Sequence, residues 1–387
     1  MRSVRIALVL VLLLAGCTVG RGTGAFPPAA DMNAQPGIGP DDDGRDYRIL
    51  VANGLSENIT MIGRADGVWS VSQDIVATGQ APNQMLVLNG LCYVVNSLSN
   101  SVQIIDSETL DVVREISTGP GTNPVFMDFI DDDTAIVSCY LSNEVLLIDV
   151  GPDAPPEDRI IERIPLPPST DLPRDDDDVP TNAKPGGLKV VGDKCYVACS
   201  NLKAVHVAGG PGLLAVIDIP SRSVERMIEL SGRDTVQVIH SPRFPRRLTV
   251  LSAGDNDPAI GFVGNGTVES LNLDTGEIFQ VIEVAGAPFG GVIGPDDILL
   301  MENGREGVVL RVDLFSGVEL PAFALPSYGE PLSYASSILA LPGLVCVTNF
   351  NADRFYLLEP DSGEILAELA TGDGPDAMVL AEGAPPD

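Results

Sequence analysis

Lysine and histidine are scarce in this sequence. Four lysines (Lys184, Lys189, Lys194 and Lys203) and two histidines (His206 and His240) occur in 387 residues, and Lys+Arg totals 23 against 54 Asp+Glu. A formal net charge of -31 excludes nucleic acid as a partner, because phosphate recognition needs clustered cations. It equally disfavours adhesion to an anionic membrane through basic residues. There is no His-x-x-x-His or Cys-x-x-Cys pair and nothing places the two histidines together, so no catalytic zinc or haem site is marked. Gly-x-Ser-x-Gly, P-loop and Gly-x-Gly-x-x-Gly signatures are missing as well. No cofactor is expected. Aromatic residues are 5% of the chain, with Trp69 the single tryptophan, which disfavours a sugar-stacking surface.

What the chain has in quantity is apolar residues (44%), 40 Gly and 31 Pro, the balance of a turn-rich β protein rather than a disordered acidic tail. Arg2 and Arg5 precede a continuous apolar run over residues 6–14. That run is too short to span a bilayer and reads as an export signal. The following Leu14-Ala15-Gly16-Cys17 resembles the lipobox of bacterial lipoproteins. The resemblance implies cleavage before Cys17, acylation of Cys17, and anchoring to a membrane through two or more acyl chains. Thr18, where an Asp would suggest inner-membrane retention, points to the outer membrane. Gly, Pro and the Asp41–Asp43 triplet then dominate a solvated tether. The expected organisation is a signal peptide at 1–16, lipidated Cys17 and tether at 17–46, a folded domain at 47–383 and a tail at 384–387.

The folded domain is built from repeats. Tyr93-Val94-Val95-Asn96, then Ser101-Val102-Gln103-Ile104-Ile105-Asp106, then an apolar run over 112–116, then Gly119 and Pro124, make one phrase. Similar phrases open at Leu50 and Val345, with weaker copies near Ala135, Cys195, Leu248 and Ile298. The second strand of each copy ends at Asn53, Asn96, Cys139, Cys199, Ser252, Asn303 and Asn349, in steps of 43, 43, 60, 53, 51 and 46 residues. This is the period of a four-stranded propeller blade. Apolar runs such as Val145-Leu146-Leu147-Ile148 fit strands covered on both faces. Asp106, Asp149, Asp218, Asn272, Asp313 and Glu359 recur at the end of the third strand, where a side-chain oxygen can start the turn. Seven innermost strands are expected near Leu86, Asp128, Lys189, Val238, Val292, Ser337 and Val379. The first repeat lacks an innermost strand and the last one lacks a repeat. Joining the two gives an all-β, seven-bladed propeller, closed by pairing the C-terminal inner strand with the N-terminal strands, which removes the exposed edge.

These phrases resemble the YVTN family of bacterial seven-bladed β-propellers. The matching residues are the Tyr93-to-Asn96 and Val347-Thr348-Asn349 strand ends, Asn100-Ser101-Val102, and the Gly-x-x-Pro turns such as Gly79 to Pro82. The resemblance covers roughly residues 47–383. It implies the fold, and envelope or surface-layer roles, but no single activity, since propellers host both enzymes and binders.

Loops after the second strands should share one face of the disc with the turns leading to the innermost strands. Asn53, Asn96, Asn201, His206, Asn303, Arg305, Asn349 and Arg354 are therefore candidates for a polar mouth over the central channel. The competing role for the asparagines is to satisfy backbone groups at strand ends. Asp255 and Asp257 are weak metal candidates. Cys92, Cys139, Cys195, Cys199 and Cys346 read as small buried hydrophobes; Cys195 and Cys199 lie about 13 Å apart along one strand, too far to bridge. Residues 151–185, rich in Pro and Asp, should lengthen blade three as a flap or loop.

The reading that follows is a lipid-anchored, extracytoplasmic propeller acting as a binding or scaffold module in the bacterial cell envelope. Its partners are the membrane, through Cys17, and an envelope protein or small ligand. The alternative is a lactonase-like hydrolase with its site at the channel mouth. With histidine scarce and no converging carboxylates visible, binding is favoured over catalysis.

Overall fold

The structure, a computed structural model, describes residues 45–152, 155, 159–176, 178–294, 296–326 and 334–382. The expectations for the signal segment, Cys17, nearly all of the tether and the C-terminal tail lie outside the described residues.

Seven antiparallel sheets of four strands follow one another around a ring. Six are consecutive in sequence. Blade 2 shows the pattern: Pro82–Leu88 innermost, then Leu91–Asn96, Ser101–Asp106, and Val112–Ser117 at the rim. Blade 1 is composite. Its innermost strand is Pro375–Glu382, paired antiparallel with Tyr47–Asn53 in the register Leu50↔Val379 and Ala52↔Ala377. The ring is therefore closed by hydrogen bonds between the two ends of the domain, as the repeat count requires.

The innermost strands of blades 3 to 7 are Pro124–Phe129, Pro185–Val191, Thr235–His240, Pro288–Ile293 and Ala335–Leu341. The second and third strands are largely buried because adjacent blades cover both faces. In Glu144–Asp149 of blade 3 all four central residues are buried, whereas the rim strand Val112–Ser117 buries only Ile116. An apolar cluster fills each of the seven junctions between blades; the one between blades 2 and 3 joins Tyr93, Val102 and Ile104 to Met127, Val137 and Leu146. The cysteines share in this packing. All five among the described residues are free and buried, and burial pushes the Cys92, Cys139 and Cys199 thiols up to about 12, which leaves them unreactive.

The recurrent Asp, Asn or Glu at the end of the third strand starts the turn in blades 2 to 7. Asp106 Oδ1 accepts from the backbone N–H of Glu108 (2.9 Å) and Thr109 (2.8 Å). Asp149, Asp218, Asn272, Asp313 and Glu359 accept equivalent bonds. Segment 151–185 is not one loop: it contains the rim strand of blade 3, Ile160–Pro165, then a connection whose Leu172 and Ala183 pack into the junction with blade 4. Two further hairpins interrupt the pattern. Leu202–Ala204 pairs with Val207–Ala208 in blade 4, and Asn256–Asp257 pairs with Gly261–Phe262 in blade 5. They account for the long 53- and 51-residue steps.

Candidate functional site

The innermost strands leave a cavity of about 250 Å³ on the ring axis, with walls from all seven blades. Most of its wall is apolar or amide, for example Met85, Phe126, Gln237, Phe289 and Met378. Against this background stand two carboxylates and a phenol. Glu302 is contributed by the second strand of blade 6 (Ile298–Asn303), Asp376 by the innermost strand of blade 1, and Tyr334 by the residue preceding the innermost strand of blade 7. Blades 6, 7 and 1 are neighbours, so the three side chains share one sector of the cavity.

Burial dominates their electrostatics, because an ionised group loses hydration that the cavity does not replace. It lifts the Glu302 carboxyl well above the ordinary glutamate value, and the nearby Asp376 charge adds to the effect. Burial raises Asp376 to about 7. The Tyr334 phenol is held well above its usual value by burial first and by both carboxylates next. Tyr334 is 6% exposed, its ring stacks on Phe350 at 5.4 Å, and its buried hydroxyl has no hydrogen-bond partner among the described residues. Glycine makes room for the acid. A Cβ on Gly290, in the facing strand, would lie 2.5 Å from a Glu302 carboxylate oxygen, so an alanine there forces the carboxylate to move.

The blade 4 hairpin brings His206 into the cavity wall in the left-handed backbone region, with φ 52°, a conformation that costs a non-glycine residue about 1 kcal/mol. Its Nδ1 lies 2.9 Å from Oδ2 of fully buried Asp234, a contact that orients the ring. The ring meets Phe262 (5.6 Å) and Phe289 (5.5 Å) edge-on, and those two meet each other at 5.2 Å. The two extra hairpins and blade 6 thus form one aromatic cap beside the cavity.

Of the sequence candidates, His206 lines the cavity; Asn53, Asn96, Asn201, Asn303, Arg305, Asn349 and Arg354 are not in its wall. The five asparagines are buried at the strand ends and bonded into turns. Asn53 Nδ2 donates to Asn58 Oδ1 (2.8 Å) and Thr60 Oγ1 (3.0 Å). Asn96 Nδ2 donates to Gln103 Oε1 at 3.4 Å, and its side chain fills the space a Cβ on Gly79 would need, at 2.7 Å. Asn201 donates to the Pro173 and Pro211 carbonyls, Asn303 accepts from the Ala287 N–H, and Asn349 accepts from the Ala352 N–H. Arg305 pairs with Glu306 at 3.6 Å, and Arg354 donates to Glu368 at 2.8 Å. Asp255 is already neutralised by Arg233 (2.9 Å) and accepts from Asn265, while Asp257 caps the turn at Ala259. Among the described residues no group of three or more His, Cys, Asp or Glu side chains converges on a metal position.

Sequence reasoning passed over Glu302 and Asp376, although the repeat exposes them. Residues one before the strand ends are Ala52, Val95, Ser138, Ala198, Leu251, Glu302 and Thr348, of which one is acidic. At the second position of the innermost strands stand Asn83, Val125, Gly186, Val236, Phe289, Ser336 and Asp376, again with one acid.

No protein-family model and no curated protein matches the chain. Solved structures do. A Bacteroides fragilis protein assigned provisionally as a 6-phosphogluconolactonase aligns with a TM-score of 0.63 at 13% identity, over 88% of this chain and 99% of that one. Hydrazine synthase of Kuenenia stuttgartiensis aligns at 0.59 and 16% identity, over 76% and 88%. Virginiamycin B lyase of Staphylococcus aureus aligns at 0.56 and 15% identity, over 76% and 87%. At these identities the likeness establishes the propeller fold alone.

Proposed function

We propose that this protein is a YVTN-type propeller of the bacterial cell envelope, lipidated on Cys17 and held at the outer membrane, that binds a small ligand in its central cavity. The observation that carries the small-ligand part is the cavity itself: an apolar-walled space on the axis with a few convergent polar groups of perturbed ionisation, the usual composition of a ligand site. A scaffold needs no such space. The lipidation part rests on the Leu14-to-Cys17 sequence. Val236 supplies wall surface, so Val236→Trp fills the cavity. Small-molecule hits that raise the melting temperature of the parent should lose their effect in this variant, with its circular dichroism unchanged. Hits that bind Val236→Trp equally well place the site elsewhere. Metabolic labelling with an alkyne fatty acid should mark the parent and not Cys17→Ser.

A second reading, general acid–base catalysis in the same cavity, is favoured by the His206–Asp234 pair and by Asp376, whose ionisation falls near neutrality, the useful range for proton transfer. The lactonase and lyase names of the structural neighbours suggest the panel to screen. Turnover of a lactone or cyclic ester that is abolished in His206→Gln supports this reading; no turnover across the panel leaves binding as the function.

A further inference from the structure

We propose that the cavity is a receptor for a small organic cation, an amine whose charged nitrogen sits between the Glu302 and Asp376 carboxylates. This deepens the small-ligand reading above and rests on it. Three observations carry it.

The first is charge without compensation. The cavity wall contains no lysine or arginine among the described residues. Its basic side chain, His206, is already engaged by the buried Asp234 carboxylate. Two carboxylates in such a space are costly to ionise together, and a cationic guest relieves both the desolvation and the mutual repulsion. The second is Tyr334. Its residue lines the same cavity as the two acids, and its buried hydroxyl lacks a hydrogen-bond partner among the described residues. A donor or acceptor on the guest that reaches it would satisfy it. The third is the rest of the wall. Phe126, Phe289, Tyr140 and Tyr334 present aromatic surface, which attracts organic cations and their apolar bodies alike. The cavity, of about 250 Å³, has room for a guest of small-molecule size.

Proton release accompanies binding. The titratable groups facing the carboxylates are Tyr334, Tyr140 and the His206–Asp234 pair. Below neutrality the empty site holds a proton on the acid pair; the arriving ammonium takes its place and the proton leaves to buffer.

Benzylamine, benzyl alcohol and benzoate share one shape and differ in charge, so titration calorimetry of the purified full-length protein with each separates shape from charge. Near pH 8 benzylammonium should bind at least about tenfold tighter than benzyl alcohol, a difference of about 1.4 kcal/mol. Near pH 6, repeating the titration in buffers of different ionisation enthalpy should show net proton release on binding. Glu302→Gln and Asp376→Asn should each lose the preference for the amine while keeping the affinity for benzyl alcohol. Equal binding of amine and alcohol, preference for benzoate, or variants that keep the amine preference overturn the cation receptor and leave the cavity as a ligand site. Failure of all three compounds to bind overturns the cation receptor and counts against the small-ligand reading too.

Discussion

Asp376 titrates near 7 in the folded chain, against 3.8 for an unperturbed aspartate. Between those values the native state keeps a proton that the unfolded chain has lost. Stability from this group is therefore full below about pH 4, falls as pH rises through 7, and is flat above. Asparagine cannot ionise, so Asp376→Asn should melt a few degrees higher than the parent near pH 8, with the gap closing towards pH 4 in thermal scans. Gly290→Ala works in the opposite direction: by displacing the Glu302 carboxylate it should weaken ligand binding more than it lowers the melting temperature, and calorimetry beside a thermal melt measures both. At this scale legibility was uneven. Residues such as Asn96 announce themselves by recurrence, but recurrence reflects the common job of filling the space under the Gly-x-x-Pro turn. Glu302 and Asp376 are single departures from the repeat, and a search for shared features passes over them.

The hairpins Leu202–Ala204/Val207–Ala208 and Asn256–Asp257/Gly261–Phe262 are where local sequence said least. Step length showed that residues had been added to blades 4 and 5. Strand runs of two or three residues carry no usable alternation, and the contact between His206 and Phe262 joins different blades. Phe262 is 6% exposed and packs with Ala253 and Ala287. Phe262→Ala should cost about 3 kcal/mol, read as a lower melting temperature, and should also change the environment of the His206 ring, read as a shift of its imidazole NMR signals. The third-strand turns were fully legible because they are local: an acceptor side chain bonding backbone N–H groups two and three residues ahead needs no tertiary information.

For the molecule as a whole, the count of seven and the closure by the last strand followed from bookkeeping on incomplete ends. The bore of the channel did not. It depends on side-chain size at the innermost strands, on glycines such as Gly186 and Gly290, and on which residue of each strand turns inward at a bulge, as between Pro288 and Gly291. Pro375–Glu382 supplies both the closing strand and Asp376. Deleting residues 375–387 should open blade 1, expose the edge of Tyr47–Asn53, and replace a single cooperative melt by a broad, lower transition with aggregation, since the hydrogen bonds of that seam have no substitute. A Cys pair placed across the seam at the facing positions Leu50 and Val379 tests the same point from the other side, by locking the ring and raising the melting temperature.

The direction of the strand Tyr47–Asn53 has an architectural consequence. Its far end meets the turn into the innermost strand, Gly54 N–H bonding to Gly374 O, on the face that carries the His206 hairpin. Its near end therefore lies on the opposite face, where the Arg48 side chain reaches the Glu108 carbonyl and the Arg48 backbone stands opposite that of Glu382. Both ends of the described chain leave from that underside. The lipid proposed on Cys17 would therefore join the propeller through this underside, on the face away from the His206 hairpin.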